Sequence, residues 1–263
     1  MEKALGSGAD ALILDLEDSV AGAAKPEARR AVAAFLAANP SANLWVRINP
    51  LDTAEADRDL DSVLGGRPDG IVLPKSEGGA SVSELARRLT ERGNATAQIL
   101  AIATETPAAI FGLGSYGGAK RLAGLTWGAE DLPAAIGAIS SRDDAGRYTP
   151  PYELARSLCL FGAAAAGVRA IETVYPAFRD PDGLAAYAAR GRRDGFTGMM
   201  AIHPAQVSVI NQAFTPSEAE IEHARAVVDA FAASPGAGAL SLDGKMIDRP
   251  HLIQAQRILS AAS

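Results

Sequence analysis

Glu105 and Asp131 each follow a short apolar run and stand one βα unit apart, on strands expected to be neighbours in a sheet. Neighbouring strands lie roughly 4.8 Å apart, so two carboxylates at equivalent heights repel unless a cation or a proton lies between them. A hard divalent ion such as Mg²⁺, held by one or two carboxylates and several waters, meets that demand and leaves positions open for an oxygen-rich substrate. The plainer alternative is a loop glutamate and a helix-capping aspartate. Glu130 competes with Asp131 as ligand, and spacing alone does not separate them.

Arg47, in Val46-Arg47-Ile48-Asn49, ends an otherwise apolar strand. Buried without a partner it would be costly, so it must face an anion or a polar cavity. Either it clamps a substrate carboxylate or enolate oxygen, or it pairs internally with Asp15 or Glu17. Those acids, with Asp18, could equally hydrogen-bond waters around the ion. Lys75 follows Leu73-Pro74 and reads either as a site cation or as a solvated loop lysine. His203 precedes Pro204 at a strand end, where a hydrogen bond within the turn is commoner than catalysis. No two of the three histidines have metal-ligand spacing. The single cysteine, Cys159, lies in an apolar stretch and reads as a small buried side chain. Gly112–Gly118 is glycine-dense but does not follow a strand, so it reads as a loop rather than a nucleotide site.

Positioning these residues takes parallel strands separated by helices. Seven runs are predicted as strands: Ala11–Leu16, Leu44–Asn49, Gly70–Pro74, Gln98–Thr104, Leu122–Trp127, Ala170–Val174 and Gly198–Ile202. Ala-rich helical windows alternate with them, including one after Pro26, one at Ser81–Arg92 with a Ser cap and Glu84, and one at Pro151–Gly167. A closed (β/α)₈ TIM barrel needs eight strands. Met1–Leu5 reads as the tail of a helix, so the first strand is expected upstream of the sequence given. Residues 1–212 are assigned to the barrel. After Asn211 a capping-box start at Thr215–Glu218, a Gly/Pro-rich turn and a final helix from Arg249 mark residues 213–263 as a helical cap or arm.

Composition sets the outer bounds. The 263 residues are 48% hydrophobic with a formal charge of −6, enough apolar content for a sizeable core. No block of consecutive basic residues supports nucleic-acid or anionic-membrane binding. One cysteine excludes an internal disulfide framework, and no secretory signal is visible, so a cytoplasmic location is expected.

The motifs Leu14-Asp15-Leu16-Glu17-Asp18, Val46-Arg47-Ile48-Asn49, Leu73-Pro74-Lys75, Glu105-Thr106-Pro107, Trp127-Gly128-Ala129-Glu130-Asp131-Leu132 and Ala201-Ile202-His203-Pro204-Ala205-Gln206 occur in one order along the chain. Together they resemble the citrate lyase β-subunit-like proteins of the HpcH/HpaI aldolase and citrate lyase superfamily. Gly244–Pro250 resembles that group's C-terminal signature. The resemblance implies a TIM barrel with Mg²⁺ on Glu105 and Asp131, and a CoA thioester contacted by Arg47 and Glu105. It further implies a homotrimer, or a multiple of one, in which Asp248 reaches a neighbouring subunit's site. On the residues alone, Asp248 before Arg249-Pro250 is a good helix N-cap. The implied activity is cleavage of a citryl-, malyl- or citramalyl-CoA-type 3-hydroxyacyl thioester. A malyl-CoA-type thioesterase, a 2-oxo-acid aldolase and a non-catalytic or regulatory barrel are the rivals. Two departures stand out. The family's opening strand, with its Pro- and Arg-containing loop, is missing from the sequence, and Glu172 stands where relatives commonly carry Asp.

Overall fold

The computed structural model describes residues 2–262, which form two compact units divided between Ser208 and Val209. In the first unit seven strands make one parallel sheet in sequential order: β1 (Leu12–Asp15), β2 (Leu44–Arg47), β3 (Gly70–Leu73), β4 (Gln98–Ile102), β5 (Leu122–Thr126), β6 (Arg169–Glu172) and β7 (Gly198–Met199). Each run predicted as a strand is found, shorter than expected, and β6 begins one residue earlier than its run. Sequential parallel order is the wall of a TIM-like barrel, and among the described residues no eighth strand joins this sheet. The short helix α1 (Glu2–Leu5) precedes β1.

Helices α2 (Lys25–Ala38), α3 (Ala54–Val63), α4 (Gly79–Glu91), α5 (Pro107–Gly112), α6 (Asp131–Ile136), α7 (Pro150–Ala166) and α8 (Pro181–Asp194) connect the strands, and α9 (Pro204–Phe214) follows β7. The central strands are largely apolar on both sides because both are covered, whereas the edge strand β1 leaves Ile13 exposed. Val46, Ile71, Val72, Ile99, Ala101 and Leu125 are fully buried. Proline at the first turn starts α2, α5, α7 and α8, where its missing N–H leaves no hydrogen bond unmade.

Two local expectations are corrected. Ser81 does not cap α4. That helix begins at Gly79 behind Gly78, whose φ of 142° suits glycine, and Ser81 Oγ instead accepts from the Glu77 N–H. The stretch from Gly112 is not a free loop: Gly112 ends α5 and Leu113–Ser115 makes a 3₁₀ turn. A Cβ on Gly112 would lie 2.0 Å from the Glu77 carbonyl oxygen, so glycine is needed for that approach.

The second unit pairs α10 (Glu218–Ala233) with α11 (Arg249–Ala261) around an antiparallel hairpin, β8 (Ala239–Leu242) and β9 (Lys245–Asp248). Ala224, Val227, Ile247 and Ala255 form its core. The expected extension is therefore not wholly helical. Asp243 and Gly244, both at positive φ, make the tight turn that closes the hairpin. Ser217 and Glu220 form the capping box of α10.

Candidate active site

Parallel register sets Asp15, the last residue of β1, directly beside Arg47, the last residue of β2. The guanidinium therefore meets the carboxylate as a fork: Nε donates to Oδ1 at 2.7 Å and Nη2 to Oδ2 at 2.6 Å. Its remaining corner, Nη1, lies 3.0 Å from Glu17 Oε2. Burial acts to raise the Asp15 carboxyl, but the bonds and charge of Arg47, together with hydrogen bonds from Ser19 and Glu17, outweigh it and hold the group at about 2. Asp15 also accepts from the backbone N–H groups of Glu17 and Ser19, folding the chain over the strand end and turning Glu17 inward.

Lys25 fixes that turn. Its ammonium donates to the carbonyls of Leu16 (2.9 Å) and Glu17 (3.1 Å) and to Asn49 Oδ1 (2.7 Å). Asn49 donates to Leu16 O and to buried Asp59, which also accepts from Arg29 Nε at 2.7 Å. A buried chain of polar groups thus ties the ends of β1 and β2 to α2 and α3.

Glu17 is 3% exposed, and neither of its carboxylate oxygens has a hydrogen-bond partner. Burial pushes its carboxyl up to about 7; Arg47 and Lys75 pull it down, while Asp18 and Asp15 add to the rise. Glu105, after β4, is 4% exposed. Its Oε2 accepts from the backbone N–H of Lys75 at 2.6 Å. Burial raises it to about 7, the Lys75 bond opposes that, and the charges of Glu17 and Asp131 reinforce it. Gly128 gives Glu105 its room, since a Cβ there would stand 2.8 Å from Glu105 Cγ. Thr104 Oγ1 bonds both the N–H and the carbonyl of Gly128 at 3.0 Å, joining the ends of β4 and β5.

Lys75 completes the cluster. Its φ of 50° directs the backbone N–H at Glu105, while its Nζ lies 3.4 Å from Asp131 Oδ1 and 3.7 Å from Glu17 Oε1. Asp131 opens α6, where a carboxylate also suits the helix dipole. Glu130, its rival as ligand, is exposed.

These residues fit a divalent cation. Among the described residues, Asp15, Glu17, Glu105 and Asp131 pair with Arg47 and Lys75 as cations, leaving an excess of two negative charges when all are ionised. The Glu17 oxygens, ion-paired with Arg47 and Lys75 but without a hydrogen bond, and the glycine cradle under Glu105 belong to the same cluster. Among the described residues no three His, Cys, Asp or Glu side chains form a ready-made cage. Two carboxylates with waters are nevertheless a sufficient set for magnesium, which keeps much of its hydration.

Comparison with known proteins supplies the family. The profile of the HpcH/HpaI aldolase/citrate lyase family matches residues 1–204. The chain belongs to that family. A citrate lyase subunit beta-like protein of Deinococcus radiodurans is 37% identical to this family member, over 97% of this chain and 89% of that protein. A (3S)-malyl-CoA thioesterase of Cereibacter sphaeroides is 34% identical, over 100% and 90%. The crystal structure of CitE from Mycobacterium tuberculosis in complex with magnesium, acetoacetate and coenzyme A superimposes with a TM-score of 0.84 at 35% identity, covering 99% of this chain and 92% of that one. A second structure from that organism is a citrate lyase beta subunit complexed with oxaloacetate and magnesium, with a TM-score of 0.73 at 36% identity over 82% and 91%.

Within this HpcH/HpaI-family chain the remaining strand-end residues take other places. Glu172 does not join the acidic cluster's contacts. It is fully buried, accepting from Trp127 Nε1 (2.5 Å), Arg156 Nε (2.8 Å), Tyr187 Oη (3.1 Å) and its neighbour's backbone. Arg156 also bonds Asp194, so Glu172 ties β6 to α7 and α8. His203 is exposed, accepts from the Ala205 N–H through Nδ1 at 3.1 Å and stacks on Phe178, which is a turn role. Asp18 is exposed and acts on Glu17, Arg47 and Lys75 through its charge alone. Asp248 is the N-cap of α11, with its carboxylate 2.5 Å from His251 Nδ1. Cys159 is buried, which pushes its thiol far up from the ordinary range and keeps it unreactive.

Sequence reasoning missed Lys25 and the Arg29–Asp59 pair beneath the site. One signal was available for Lys25. A lysine opening a helix opposes the helix dipole, so some other partner must hold it there. No helix among the described residues is long and apolar enough to cross a membrane.

Proposed function

We propose that this chain is a magnesium-dependent carbon–carbon lyase acting on a 3-hydroxyacyl-CoA of the citryl-, malyl- or citramalyl-CoA type. Loss of the hydroxyl proton lets the adjacent carbon–carbon bond break, giving a 2-oxo acid and the enolate of the acyl thioester, which then takes up a proton. Glu105 and Asp131 would hold Mg²⁺, which supplies Lewis acidity that eases ionisation of the substrate hydroxyl. The carrying observation is the convergence of buried Glu105 and half-buried Asp131 on Lys75, beside a Glu17 carboxylate with no hydrogen-bond partner.

The chain's own groups have definite tasks in this reading. Asp15 and Glu17 hold the Arg47 guanidinium at the strand ends, a fixed positive charge where enolate charge develops. This joins two readings that the sequence left as alternatives, because an internally paired arginine is also a rigid one. Asp248 of a neighbouring copy would supply the final proton. That assignment entails an oligomer, and we propose a homotrimer or a multiple of one. Exposed Phe111 on α5, Ile139 beyond α6 and Phe161 on α7 are apolar surface that such assembly could cover. A reducing cytoplasm suits a thioester substrate and a lone buried thiol.

The test is a panel of hydroxyacyl thioesters incubated with Mg²⁺, with the products identified. A 2-oxo acid plus an acyl-CoA is the expected result, lost on Glu105→Ala. Free CoA plus an intact hydroxy acid would instead indicate a thioesterase, a reading favoured by the 34% identity to the malyl-CoA thioesterase. Turnover retained in Glu105→Ala would remove the metal pair from the account.

A further inference from the structure

Three cations stand at these strand ends, and they are held in different ways. Arg47 is locked by the fork to Asp15 at 2.6–2.7 Å. Lys25 is locked by three neutral acceptors at 2.7–3.1 Å. Lys75 is not locked. Its ammonium stands 3.4 Å from Asp131 and 3.7 Å from Glu17, too far for well-formed hydrogen bonds, so charge alone retains it. Its side chain is 33% exposed, which gives the ammonium a path to solvent.

We propose that Lys75 is a built-in placeholder cation, occupying the acidic cluster in the metal-free protein and displaced when the divalent ion enters. The inference rests on the metal-site reading above. The backbone suits this exchange, because the Lys75 N–H is fixed on Glu105 independently of where the side chain points. Moving the ammonium therefore leaves Glu105 in position. The placeholder limits repulsion among Glu17, Glu105 and Asp131 while the cluster lacks its ion, and it competes with that ion for the same carboxylates.

Two measurements on the full chain test this. In calorimetric titrations with MgCl₂, Lys75→Met should bind magnesium about tenfold tighter than the parent, because a competing positive charge is gone. Equal or weaker binding by a folded Lys75→Met would overturn the proposal. The second measurement needs no variant. Limited acylation of amines, read by peptide mass spectrometry, should modify Lys75 several-fold faster with MgCl₂ present, while exposed Lys120 stays unchanged as an internal control. An unchanged or slower Lys75 rate, with magnesium shown calorimetrically to be bound, would defeat the placeholder and leave the metal site standing. Absence of magnesium binding in both proteins would defeat both.

Discussion

At the scale of single residues, the site stores unfavourable charge in two buried carboxyls. Glu17 and Glu105 are each raised from the ordinary 4.5 to about 7. Between those values the folded chain keeps protons that the unfolded chain has already lost. Stability of the metal-free protein therefore falls as pH rises from about 5 to 7.5, by an amount on the order of 1–3 kcal/mol per group. Glu17→Gln has no such proton to lose, so its metal-free stability should decline less over that window. Urea unfolding at pH 5 and pH 7.5 in the presence of a chelator measures the difference. Parallel declines in both proteins would show that Glu17 carries no such penalty. Gly128 makes a second prediction. A methyl group there meets Glu105 Cγ at 2.8 Å, so Gly128→Ala should weaken magnesium binding about tenfold or more through a displaced ligand. The melting temperature should shift little. Unchanged magnesium affinity would mean that Glu105 is not held by this packing.

Elements set which of these residues meet. All seven barrel-wall strands were legible, because runs buried on both faces are continuously apolar and the helices between them announce themselves with proline and alanine. The order of strand ends followed, and with it the neighbourhood of Glu105, Asp131 and Arg47. Side-chain direction was not legible. Glu172 ends its strand as Arg47 does, yet it is consumed by Trp127, Arg156 and Tyr187, because α7 brings a buried arginine against it. Nothing in the spacing of Arg156 and Glu172 announces that pairing. The hairpin of the second unit was readable in principle: Asp243-Gly244 between Leu242 and Lys245 is the residue pair that a two-residue turn prefers. Glu172→Ala should leave Arg156 buried with Asp194 alone and cost about 3 kcal/mol in chemical denaturation, the usual penalty for breaking a buried pair. A change under about 0.5 kcal/mol, typical of surface substitutions, would contradict a structural role for the pair.

For the whole molecule, the proposed catalytic set is split between copies. Glu105→Gln and Asp248→Asn chains should each be inactive alone. Co-expressed, they should recover a fraction of turnover, because some sites then combine a native Glu105 with a neighbour's native Asp248. No recovery in mixed oligomers would return Asp248 to its capping role on α11, where it already sits. The acidic cluster does not depend on that outcome, since Asp15, Glu17, Arg47, Lys75, Glu105 and Asp131 all belong to the first unit. The central claim is that this cluster is a divalent-cation site. The most direct measurement is anomalous diffraction from crystals of the protein soaked in manganese(II). One strong peak within bonding distance of a carboxylate oxygen from each of Glu105 and Asp131 is the expected result, and it should vanish in Glu105→Ala. No peak there, or Glu105 and Asp131 directed away from a common point, would contradict the account.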